Sequence, residues 1–174
     1  MNKIIITAAA LTAASASAAF ASIPVNLTGE ENITATGQDF TFNFNGVPAA
    51  LSEGVLTIEA LGDYSVVPPS SETLTWDVDG VASGVGFDAS AFSGPVDLFQ
   101  NAVSQSFVIS LADMQTITAD GFVTVSLDNS DAVNFFTDQP EDFVKFSLSF
   151  TGVPTPGAAG LLAVAGLAAV RRRR

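Results

Sequence analysis

The side chains in this sequence that could do chemistry are almost all carboxylates. Eighteen Asp and Glu stand against six Lys and Arg, with no His and no Cys. Hard cations take carboxylate and carbonyl oxygens, often from loops; the expectation is no cofactor, with Ca2+ as the alternative that the carboxylates would allow. Asp77-Val78-Asp79-Gly80 spaces two carboxylates as the opening of a calcium-binding loop does. Val81 then occupies the place of a third oxygen ligand, and the twelfth position is Asp88, where such loops carry Glu. Adding Asp128 and Asp131 gives the candidate set Asp77, Asp79, Asp88, Asp128 and Asp131. The favoured reading of Asp79-Gly80 is plainer: it is the turn of a hairpin.

Other chemistry is poorly served. Without His, a Ser nucleophile has no imidazole base and the commonest metal ligand is missing. Without Cys there is no thiolate site, and no disulfide even in an oxidising compartment. Two carboxylates suffice for glycoside hydrolysis, but so many acids make pairs by chance. Gly80, Gly84 and Gly86 lie in strand context and do not form a dinucleotide fingerprint. The expectation is a protein that is not an enzyme, with a small secreted hydrolase as the least favoured alternative. Trp76 and Tyr64 are the aromatic side chains with a polar handle and could stack on a sugar. Trp76, however, alternates in phase with Leu74 and Val78, which assigns it to a buried face. Tyr64 sits near a strand end and is open.

The elements that must position these groups read as strands. Phe40, Phe42 and Phe44 alternate with Thr41 and Asn43; Leu56, Ile58 and Ala60 with Thr57 and Glu59; Leu74, Trp76 and Val78 with Thr75 and Asp77. Val123, Val125 and Leu127 follow the same rule, as do Val144, Phe146, Leu148 and Phe150. Period two marks a strand with one face buried. Phe107, Ile109 and Leu111 suggest another, and Val25 and Leu27 an N-terminal one. Leu111, Met114 and Ile117 also sit at helical spacing, enough for one or two turns. Asn45-Gly46, Asp79-Gly80 and Asp120-Gly121 favour turns that need positive φ. Residues 88–100 read as a longer irregular connection. Seven to nine short strands predict an all-β, single antiparallel sandwich, with a lectin-like jelly roll preferred over an Ig-like one.

All eighteen acids fall within residues 22–152, and five of the six bases fall outside. The body therefore carries Lys145 alone against eighteen acids, a net charge of −17. A nucleic-acid partner, which needs a basic surface, is disfavoured. Few ion pairs can form, so the fold must rest on apolar burial. Asn26-Leu27-Thr28 and Asn32-Ile33-Thr34 fit the glycosylation pattern but read as polar strand positions.

Both ends differ from the body. Residues 1–21 have Lys3, an apolar run from Ile4 and an Ala19-Phe20-Ala21 cleavage pattern, the signature of a secretory signal peptide with Ser22 as first mature residue. Ala16-Ser17-Ala18 is a second site of the same kind. Residues 153–174 join Val153-Pro154-Thr155-Pro156-Gly157 to an uncharged run ending at Val170, then Arg171, Arg172, Arg173 and Arg174. As a helix, residues 157–170 would span about 21 Å, short of the ~30 Å hydrocarbon core of a bilayer. Such a segment suits a brief membrane stop, with the arginines on the cytoplasmic side.

This order of Pro-containing motif, apolar segment and terminal Arg cluster resembles the PEP-CTERM sorting signal of Gram-negative bacteria. The family's short motif is usually Val-Pro-Glu-Pro; here Thr155 takes the place of Glu. The resemblance covers only residues 153–174. It implies signal peptidase and an exosortase as processing enzymes and transient anchoring in the inner membrane. Delivery to the outer envelope, cell surface or extracellular matrix would follow, with exopolysaccharide as the partner the family suggests. The expected organisation is a signal peptide at 1–21, an acidic β-sandwich at 22–152 and a sorting segment at 153–174. The expected function is that of an exported, non-enzymatic surface or matrix protein; a calcium-dependent carbohydrate-binding module is the alternative.

Overall fold

The computed structural model describes residues 22–65, 72–87, 91, 100–136 and 141–153. The cleavage pattern, Asp88, most of the 88–100 connection and all of the tail beyond Val153 lie outside these residues. Eight strands and one short helix follow in order: β1 (Ile23–Asn32), β2 (Asp39–Asn45), β3 (Gly54–Gly62), β4 (Leu74–Val78), β5 (Ala82–Gly86), β6 (Asn101–Ile109), α1 (Leu111–Ile117), β7 (Phe122–Asn129) and β8 (Phe143–Gly152).

The strands form two four-stranded antiparallel sheets, in the orders β1-β8-β3-β6 and β2-β7-β4-β5. The pairing is nested. β4 pairs with β5, β3 with β6, β2 with β7 and β1 with β8, as in one long hairpin. Rolling that hairpin adds the β3–β8 and β4–β7 pairs. Eight strands arranged this way make a jelly roll, the preferred form of the expected sandwich.

The alternating residues fill the space between the sheets. Leu56, Ile58, Leu74, Val78, Val125, Leu127, Val144 and Leu148 are fully buried. Phe42 and Phe44 reach across from β2 to Phe146 on β8, with ring centroids 5.0 and 6.0 Å away. Gly29 on β1 makes this possible: a Cβ there would lie 2.6 Å from the Phe146 ring. Trp76 lies on the inner face against Phe107 at 4.9 Å, as its phase requires.

Three local expectations change. Asn45-Gly46 and Asp120-Gly121 do have glycines at positive φ, but neither joins paired strands. Each marks a crossing between sheets, and the two meet where the Val47 N–H donates to the Gly121 carbonyl. Leu111 does not extend β6. Ser110 caps α1 instead, its side chain accepting from the Asp113 N–H at 3.2 Å, and Met114 and Ile117 turn inward. β5, an Ala/Ser/Gly/Val strand, has no hydrophobic alternation strong enough to announce it.

The sandwich has two distinct ends. At the near end the chain enters at Ile23 and leaves at Gly152, which are register partners. The 46–53 loop, the β4–β5 turn and α1 also lie there. The far end carries the connections that follow β1, β3, β5 and β7. Val153 is still held at the near end, its N–H donating to the Ala49 carbonyl at 2.9 Å. Because Phe146 serves two aromatic contacts in a dry interface, Phe146→Ala is expected to cost about 3–5 kcal/mol. Urea denaturation monitored by circular dichroism checks this.

Candidate functional site

Among the described residues, the sequence-derived metal candidates do not form one site, although Asp77 and Asp128 share an outer face on neighbouring strands. Asp77 and Asp79 belong to the β4–β5 hairpin. The Gly80 N–H donates to Asp77 Oδ1 at 2.7 Å, and the Thr124 N–H donates to Asp79 Oδ1 at 2.8 Å. Asp79 and Gly80 adopt φ of 53° and 66°, the backbone of a tight two-residue hairpin turn. Asp77 thus stabilises its own turn, and Asp79 ties that turn to the neighbouring strand β7. Asp128 faces Asp39 across the β2–β7 ladder on the outer side of the sheet. Asp131 lies elsewhere, beside Gly37 in the far-end loops. No group of three or more acidic, His or Cys side chains among the described residues converges as a metal site.

The outer face around Asp128 is uncompensated acid. Partial burial pushes the Asp128 carboxyl up, and the charges of Asp39 and Asp77 push it further. Asp79 is raised chiefly by burial, against the lowering effect of its hydrogen bond from Thr124.

The outer face of the other sheet is different. Asn26, Thr28, Thr57, Glu59, Lys145, Phe146 and Ser147 line a shallow concavity of about 240 Å³. Lys145, the sole base of the body, pairs with Glu59 at 3.2 Å, both side chains being nearly half exposed. Thr57 and Ser106 share a hydroxyl–hydroxyl bond of 2.8 Å beside it. The surface offers hydroxyls, an amide, one cation and one anion, a set suited to hydrogen-bonding a polyhydroxyl chain. It takes no stacking platform from the two candidate aromatics. Trp76 is 6% exposed and Tyr64 fully buried. Tyr64 packs on Phe87 and donates its hydroxyl to Asn129 Oδ1 at 2.8 Å; burial pushes its phenol far up.

A second polar region went unnoticed in the sequence. Seven polar or charged residues among those described are buried, and all but Thr118 gather at the far end: Asp63, Ser65, Glu72, Asn101, Asn129 and Asp142. Asn101 Nδ2 donates to the Tyr64 carbonyl at 2.7 Å. Asp63 Oδ2 accepts from the Asn134 side chain at 2.9 Å. Asp142 Oδ1 accepts from Gln100 at 2.7 Å, and its backbone carbonyl accepts from the Ile33 N–H at 2.8 Å. Burial pushes the Asp142 carboxyl up; the Gln100 bond opposes this, and the charges of Asp63 and Glu141 add to it. No local pattern flags these residues, because they meet only when four connections converge.

No protein-family model matches the chain, and no curated protein does either. Among solved structures, it is similar to part of dimeric latent PorU from Porphyromonas gingivalis, at 10% identity and a TM-score of 0.41. That match covers 80% of this chain and 14% of the other. A likeness this distant carries no functional argument.

The acidic outer face generates a pH dependence. A carboxyl raised in the folded state binds protons there more readily than in the unfolded chain, so stability falls as pH rises through the window. For Asp128 that window opens at the ordinary value of 3.8 and extends upward. Asp128→Asn is expected to remove part of this loss, and salt to shrink the difference by screening. Thermal melts of both proteins across that range, at low and high ionic strength, check it.

Proposed function

We propose that the protein is an exported, non-enzymatic component of the cell surface or extracellular matrix, processed at both ends by signal peptidase and an exosortase-type enzyme. One observation carries the reading. Ile23 and Gly152, the first residue of β1 and the last of β8, face each other in one ladder. The two expected cleavage points, before Ser22 and beyond Val153, therefore flank a pair of adjacent strand ends. Cutting at either point leaves all eight described strands intact. The exposed large hydrophobics support the same orientation. Six of the seven exposed large hydrophobics among the described residues, Leu51, Val55, Val81, Val108, Leu111 and Phe122, lie toward the near end, while Val85 lies toward the far end; a tail held in the membrane would bring the near end close to the bilayer. The polar far end and both outer faces then point into the envelope or matrix. High net negative charge and a disulfide-free core suit a secreted, soluble body.

The test is intact mass of the protein recovered from its native envelope and medium. The reading requires a species lacking residues 1–21 and the chain beyond about Val153. A species that keeps Arg171 to Arg174 makes the tail a permanent anchor and removes the exosortase step.

The concavity around Lys145 favours a second reading, a carbohydrate-binding module. Retention on an immobilised neutral polysaccharide would then depend on Lys145, and Lys145→Ala would weaken it about tenfold through loss of a charged hydrogen bond. Equal retention of the variant leaves a passive matrix component.

A further inference from the structure

The far end contains a physical problem that the protein's own side chains do not solve. Asp63 is 3% exposed and Asp142 is fully buried. One oxygen of each is used, Asp63 Oδ2 by Asn134 and Asp142 Oδ1 by Gln100. The other oxygen of each, Asp63 Oδ1 and Asp142 Oδ2, is buried without a hydrogen-bond donor. A buried charge without compensation is costly. Lys145 is paired with Glu59 along the sheet, so no cation among the described residues answers these carboxylates.

We propose that Asp63 and Asp142 form a calcium site that clamps the far-end connections. The chemistry selects the ion. Both free ligand atoms are carboxylate oxygens, and a chain without His or Cys offers nothing to a softer metal. Ca2+ accepts six to eight oxygens in flexible geometry, carbonyls and water completing the shell. Mg2+ demands a nearly regular octahedron and gives up its water reluctantly. The two carboxylates provide the charge, which is why a convergence of three acids is not needed. The site differs from the sequence-derived set, in which Asp77 is committed to its own turn and Asp79 to the Thr124 N–H of β7.

The position gives the ion a structural task. Asp63 follows β3 and holds Asn134 in the β7–β8 connection. Asp142 precedes β8, holds Gln100 ahead of β6, and accepts from Ile33 after β1. One cation bridging the two would tie all these segments together, at the end farthest from Gly152. The inference does not depend on how the chain is exported.

The test uses the full chain freed of divalent ions, then titrated with CaCl2 or MgCl2, with binding read by calorimetry and stability by thermal melting. At calcium about a hundredfold above Kd, the melting temperature should rise by about 10 °C, reversibly with EGTA, and more than with equal magnesium. Asp63→Asn and Asp142→Asn should each weaken calcium binding at least tenfold, while Asp128→Asn leaves it unchanged. These near-isosteric changes should keep the fold, checked by circular dichroism; if one does not, the wild-type response and the other variant decide. Absence of a calcium response in the wild type overturns the proposal. So does a response equal in wild type and the Asp63 and Asp142 variants.

Discussion

The pairing of the first strand with the last is the constraint on which this structure depends. β1 and β8 run antiparallel over their whole lengths, from Ile23 opposite Gly152 to Asn32 opposite Phe143. β8 in turn pairs with β3, so β1 reaches the rest of its sheet only through the end of the chain. The sheet that begins the fold cannot be completed until the last strand is made. The same ladder sets Val25 and Leu27 over the core and leaves Gly29 beneath the Phe42 and Phe146 rings. Entry and exit thereby share one end of the molecule.

Charge decides how the remainder is held. With one lysine among eighteen acids in the body, ion pairing contributes little, and an exposed pair such as Lys145–Glu59 is worth roughly 0–1 kcal/mol. Cohesion comes from the dry layer between the sheets, where aromatic contacts at Phe146, Trp76 and Tyr64 each add about 0.5–1.5 kcal/mol beyond the area they bury. Exposed acids are tolerated because water and salt screen them. The buried acids at the far end are another matter, since screening does not reach them. The two ends differ: most exposed apolar residues lie at the end joined to the tail, and most buried polar groups at the opposite one.

Much of the fold was legible in the sequence, because a half-buried strand writes its two faces in alternation. Phe40 to Phe44, Leu56 to Ala60 and Val144 to Phe150 are such cases. β5 was not, since Ala82, Gly84 and Gly86 supply the inner face with almost no hydrophobic signal; Gly84 is small because the Trp76 indole lies on it. Turn dipeptides indicated the backbone conformation and not the partner. Asn45-Gly46 and Asp120-Gly121 bend as expected, yet in a jelly roll most consecutive strands lie in opposite sheets, and only β4 and β5 are neighbours in both sequence and space. The far-end carboxylates were illegible for the same reason. Asp63 and Asp142 look like any other loop acids until the fold buries both at the far end, whereas Asp77 and Asp79 look like ligands because they are close in sequence.

The β1–β8 ladder closes the eight described strands into one unit within residues 22–153, which should fold without the segments on either side. The direct test compares urea denaturation of residues 22–153 alone with that of the full chain. One cooperative transition at the same midpoint and slope is expected for both, since the strands and buried aromatic contacts of the described residues lie within those limits. A fragment that is unfolded, or that melts at markedly lower denaturant, would contradict it and would make the terminal segments part of the fold.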